Sequence, residues 1–230
     1  MKKSDLLFIA VFVAFFAAFF VFDDLYQAYN SFNKAHGMIM SFVKFAFLAT
    51  LGESIGLRIK TGVYNNKGFG LLPRAIVWGF LGLTIKLAFI IFATGVPNFL
   101  AYMGISGAPV AMKGDFSNTK LLVAFAISVS MNVIYAPVMM TLHKITDTHI
   151  LQTGGTLAGL FKKIPFVKIL KELNWDVQWN FVFKKTIPFF WIPAHTITFL
   201  LPTDFQVLFA ALLGIILGVI LSVASMKTAR

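Results

Sequence analysis

Residues 75–95 read AIVWGFLGLTIKLAFIIFATG, twenty-one positions with one charge, Lys86. A hydrocarbon core about 30 Å thick requires around 20 apolar residues in an α-helix, so this stretch has the length and character of a transmembrane span. Five more runs fit the same description, at about 6–22, 38–57, 121–142, 183–201 and 205–224. None alternates apolar with polar residues as the strands of a closed barrel do, and lipid offers no partner for the open backbone of any other structure. The expected fold is all-α: a polytopic transmembrane bundle of six spans that forms one integral membrane domain over 1–230. Composition agrees, with 58% apolar and 13% charged residues against about 25% charged in soluble domains. The mean hydropathy is +0.82.

The first run follows Met1-Lys2-Lys3 as a secretory signal would, but it is long, Phe-rich and ends at Asp23-Asp24 without a small-x-small cleavage site. It reads as a retained span. With six spans in place, the N-terminus, the loops near 58–74 and 143–185, and the C-terminal tail hold fifteen Lys and Arg residues, whereas the opposite loops hold Lys34, Lys113 and Lys120. This asymmetry puts both termini in the cytoplasm, in an inner (cytoplasmic) membrane. The net charge of +11 therefore belongs to alternate loops rather than to one soluble face, which argues against nucleic-acid binding and for contact with anionic lipid.

Between the fourth and fifth runs, Leu157, Leu160, Phe161, Ile164, Val167, Ile169, Leu170 and Leu173 interleave with Lys162, Lys163, Lys168 and Lys171. One amphipathic interfacial helix over about 157–173, its lysines on anionic lipid, is expected, with a solvated basic loop as the alternative. The apolar loop from Val96 to Met112 is expected to rest on the outer interface or to re-enter the membrane.

Several polar residues fall inside the runs. At about 100° per residue, Ala75, Gly79, Gly82 and Ala93 share a stripe that includes Lys86, so Lys86 is expected to face inward, towards a solute or towards neighbouring carbonyls. Glu53 lies near the cytoplasmic end of the second run, placed to meet a cation or lysine, while Lys44 points the other way and is expected to snorkel outward. Ser128, Asn132 and Tyr135 cluster beside Pro137, which frees the carbonyl four residues back. Such groups serve a solute path or simply join helices. In the fifth run Pro188 and Pro193 interrupt the ladder near His195, Thr196 and Thr198. Thr203 or Asp204 is placed to cap the last helix, whose Ala211, Gly214, Gly218 and Ser222 form a packing face for the monomer or for a homodimer through Gly214 and Gly218.

Cysteine is absent, which excludes disulfides and thiolate chemistry. His143, Asp147 and His149 lack a third strong ligand at helical spacing, so no metal is expected, and no phosphate loop, nucleophile elbow or carboxylate pair suggests a cofactor or an enzyme.

Trp191-Ile192-Pro193-Ala194-His195-Thr196-Ile197-Thr198-Phe199, followed by Pro202 and Leu221-Ser222, together with Asn132…Ala136-Pro137 and Gly52-Glu53, resembles the motifs of the Mpv-seventeen family, also called the peroxisomal membrane protein of twenty-two kilodaltons family. The chain looks like a divergent, bacterial-like member with an extra first span. Met131, His195, Thr198 and Gln206 stand where that family has Asp, Gln, Asn and Arg. The resemblance implies a small helical bundle forming a low-selectivity channel.

The residues and the resemblance together lead us to expect a channel or transporter for a small polar or anionic solute, its path lined by Lys86, Asn132, Tyr135, His195, Thr198 and Glu53. The alternative is a ligand- or lipid-binding membrane scaffold that acts with a partner protein, docking through the Ala10, Ala14 and Ala18 spacing of the first helix.

Overall fold

The computed structural model describes residues 2–228, with the backbone alone for Ser4 and residues 221–228. Every regular element among them is helical: α1 (Lys3–Val21), α2 (Asp23–Ala35), α3 (Gly37–Thr61), α4 (Leu71–Tyr102), α5 (Ala108–Ala111), α6 (Asn118–Ile134), α7 (Ala136–Gln152), α8 (Leu157–Leu160), α9 (Phe166–Glu172), α10 (Trp175–Val177), a wider helix over Gln178–Trp191, α11 (Ile192–Leu200) and α12 (Thr203–Thr228). Three of these are long and apolar enough to cross a membrane, and up to five spans result if the bent pairs α1–α2 and α6–α7 each count as one. Large side chains stand exposed on the outside, among them Phe80, Ile91, Phe125 and Val133, as suits a surface facing acyl chains rather than water.

Two compact units divide the chain, one up to Met40 and one from Ser41 onward. In the first, α1 and α2 meet at 91°. Phe22 adopts an extended conformation between them, and Phe19 meets Tyr29 edge-on at 5.4 Å. The second unit holds the remaining helices. There α6 packs on both α4 and α11. Its core includes Phe45, Leu48, Ile85, Phe89, Val123, Ile127 and Phe199.

The small residues of α4 let α3 approach. Serine 41 donates its hydroxyl to the Gly82 carbonyl at 2.8 Å, and a Cβ on Gly82 would stand 2.8 Å from the Ser41 carbonyl oxygen. That stripe is a packing seam. A second seam joins α3 to α12, where a Cβ on Gly52 would fall 2.9 Å from the Ile215 Cα and one on Gly218 would fall 3.2 Å from the Gly52 carbonyl. The close approach expected of Gly218 is thus made within the chain, while the side chains of Leu221 and Ser222 lie outside the described residues.

Several local expectations need correction. The interfacial helix over 157–173 is two short helices, α8 and α9, because Pro165 has no N–H to continue a ladder and disfavours helical geometry at Ile164. Lysines 162, 163, 168 and 171 are nevertheless all exposed. The segment after Val96 is not a loop at first: α4 continues through Pro97 to Tyr102 before the chain turns. Lys44 does not snorkel outward but is buried, within electrostatic reach of Lys86 and Asp204. Thr203 and Asp204 form the first turn of α12 rather than preceding it, and there the Asp204 carboxylate favours the positive helix end.

Candidate functional site

Ser117 caps α6 by accepting from the Lys120 amide, and the helix then runs to Ile134, where Pro137 interrupts the ladder and α7 departs at 44°. The bend opens a cavity of about 320 Å³ within the second unit, between α3, α4, α6, α7, the wide helix, α11 and α12. This volume lies within the range of small-molecule sites. Of the residues expected on a solute path, Glu53, Asn132, Tyr135 and His195 line this cavity, and Lys86 and Thr198 do not. Lys86 is half-buried, and Thr198 is fully buried with its hydroxyl donating to the Ala194 carbonyl.

At one end Asn132 and His195 meet. Asn132 Nδ2 donates to the Ser128 carbonyl at 2.8 Å, which orients the amide, and Nδ2 also lies 3.0 Å from His195 Nδ1. Ser128 Oγ donates in turn to the Ile192 carbonyl at 2.7 Å, tying α6 to α11. His195 stacks on Trp191 at 5.2 Å and meets Phe89 edge-on at 5.8 Å. Tyr135, at the bend, shares a hydroxyl–hydroxyl contact of 2.6 Å with Thr84 of α4.

The other end is charged. Glu53 Oε1 accepts from Trp78 Nε1 at 2.9 Å and lies 3.0 Å from His143 Nε2, while Oε2 pairs with Arg74. Arg74 also pairs with Asp147, and its Nε donates to the Phe69 carbonyl at 2.7 Å. Lys144 stands 3.8 Å from Asp147. Glu53 therefore meets an arginine and a histidine rather than a lysine. His149 turns away and bonds the Gly159 carbonyl at 3.0 Å, so the two histidines of α7 serve different neighbours. The cluster binds α3, α4 and α7 together at one level of the bundle.

Trp78 lines the cavity, and Arg74 and Asp147 stand behind Glu53; the sequence reading gave Arg74 and Trp78 no place in the site and weighed Asp147 only as a metal ligand. A signal existed: Arg74 and Trp78, like His143 and Asp147, stand four residues apart and so share a helix face.

Winding decides which side chains of the segment before α11 reach the cavity. The fifth run was expected to be broken by prolines; instead Gln178–Trp191 forms i→i+5 bonds, with the Ile192 amide donating to the Ile187 carbonyl. Gln178, Val182, Thr186, Trp191 and His195 consequently all line the cavity. In an α-helix, thirteen steps of about 100° would leave Gln178 and Trp191 roughly 140° apart. Both carry a buried donor, Gln178 Nε2 and Trp191 Nε1, with no hydrogen-bond acceptor in the described protein. Buried donors of this kind are rare, and π-type winding is itself concentrated at functional sites.

A scan of protein-family models and searches of curated proteins and solved structures found no match to the chain.

Proposed function

We propose that the chain is a membrane channel or transporter that admits a small polar or anionic solute to the cavity between its helices. The observation that carries this reading is the joint presence, in one cavity, of a polar Asn132–His195 end, a charged Glu53–His143 end backed by Arg74, and two buried donors without partners. A site of several weak contacts allows entry and release, as conduction requires. The motif resemblance to a channel family supports the same reading. Its topology is six spans with both termini cytoplasmic in an inner membrane, and its exposed Lys162, Lys163, Lys168 and Lys171 rest on anionic headgroups.

Reconstituted liposomes test this. The full chain is expected to release entrapped small polar solutes, and His195→Phe with Asn132→Leu is expected to cut that flux by about tenfold or more. Flux equal to that of empty liposomes removes the transport reading. A second reading, a ligand- or lipid-binding scaffold acting with a partner protein, draws on α1, where Leu6, Leu7, Ile9, Val11 and Val13 are exposed. A stoichiometric membrane partner in mild-detergent preparations, together with absent flux, favours it.

A further inference from the structure

We infer that the His195 end of the cavity recognises an oxygen acceptor, the carboxylate or carbonyl end of a small amphipathic solute whose apolar body lies along Met131, Met139 and Met140. The inference deepens the solute-site reading and rests on it.

The hydrogen-bond pattern assigns the donors. Asn132 must present its NH2 to the Ser128 carbonyl, since a carbonyl can only accept. The same nitrogen is closer to His195 Nδ1, at 3.0 Å, than Asn132 Oδ1 is, at 3.2 Å. In the tautomer whose Nδ1 accepts from that amide, the imidazole proton sits on Nε2. Nε2 has no partner among the described residues, although His195 is buried and lines the cavity. Beside it, Trp191 has an indole nitrogen that can only donate, also buried without an acceptor. Two neighbouring rings thus offer N–H groups. What they lack is an oxygen.

An ammonium ion finds the opposite chemistry there. Glu53, the cavity's carboxylate, meets Trp78, whereas His195 meets Phe89 eleven residues further along α4, roughly 16 Å at the α-helical rise, and the Glu53 oxygens already serve Arg74, Trp78 and His143. The wall between the two ends is largely apolar, with three methionines whose flexible thioethers adapt to varied shapes. A compound with one oxygen-rich end and a short hydrocarbon body satisfies both surfaces.

The test is calorimetric titration of the full chain in lipid nanodiscs with hexanoate and with hexylammonium, subtracting empty nanodiscs. Hexanoate is expected to bind at least about tenfold more tightly. His195→Phe is expected to abolish that preference, and Trp191→Phe, which keeps an aromatic ring against His195, to weaken hexanoate several-fold, the scale of one hydrogen bond. Equal binding of the two probes, or a preference unchanged in both variants, overturns the inference and leaves a solute site of other selectivity. Binding of neither probe overturns the inference, while liposome flux decides the transport reading by itself. Preferential hexanoate binding without liposome flux upholds the inference and removes transport.

Discussion

Arg74 is the residue on which the buried charge cluster of the second unit depends. It is buried, and it stands between two carboxylates from different helices, Glu53 and Asp147. Removing one partner of a buried ion pair leaves the others desolvated and uncompensated, at a cost of about 3 kcal/mol or more. Arg74→Leu should therefore lower the unfolding temperature measured in detergent by several degrees, and adding Glu53→Gln with Asp147→Asn should recover part of the loss. An unchanged melting curve for the single variant would show that the cluster is superficial. The sequence concealed this role because a lone arginine beside a loop looks like one more basic loop residue, and its partners lie 21 and 73 positions away. Lys44 was misjudged for a related reason. Nearly every face of α3 is apolar, so periodicity does not mark which side turns inward, and the buried side proved to be the one that carries Ser41, Lys44 and Phe45.

At the scale of the element, the six apolar runs were legible because bilayer thickness fixes how long an apolar helix must be. Each run coincides with a helical stretch, although Gln178–Trp191 is wound more widely than the sequence suggests. Residues four and five apart line the cavity there, a spacing that cannot be told from α-helical periodicity over so short a length. Since the chain has no cysteine, single replacements can report the winding directly. Thr186→Cys should react with a charged, membrane-impermeant methanethiosulfonate, and Phe189→Cys, on the exposed apolar side, should not. In α winding the two positions lie only about 60° apart, so similar reactivity of the two cysteines is the pattern expected of it. The α3–α12 seam offers an independent check, because the atom that a Cβ on Gly52 would strike belongs to backbone and cannot rotate aside. Gly52→Ala should cost about 1–3 kcal/mol, visible as earlier unfolding in a detergent titration.

Across the whole molecule, charge rather than hydropathy carries the topology. With six spans, Lys67 and Lys113 belong to opposite sides of the membrane, and both side chains are exposed. In right-side-out vesicles, an impermeant maleimide should label Lys113→Cys and spare Lys67→Cys until the membrane is opened; equal labelling of the two would refute this arrangement. The candidate site was half legible at this scale. Glu53, Asn132, Tyr135 and His195 stood out because polar groups inside apolar runs are conspicuous, whereas Gln178 and Arg74 border those runs and Trp78 lies in the first turn of one, so all three resemble interfacial residues.

The right angle between α1 and α2 has a further effect. Leu25, Tyr26, Tyr29 and Phe32 fall on one side of α2 by helical geometry, and Asp23, Asp24, Gln27, Asn30 and Lys34 on the other. A helix so divided floats at the boundary between headgroups and acyl chains, so if α1 crosses the bilayer, α2 fixes how far it can sink. In a thicker or thinner bilayer α1 would answer by tilting, with its depth at that face unchanged.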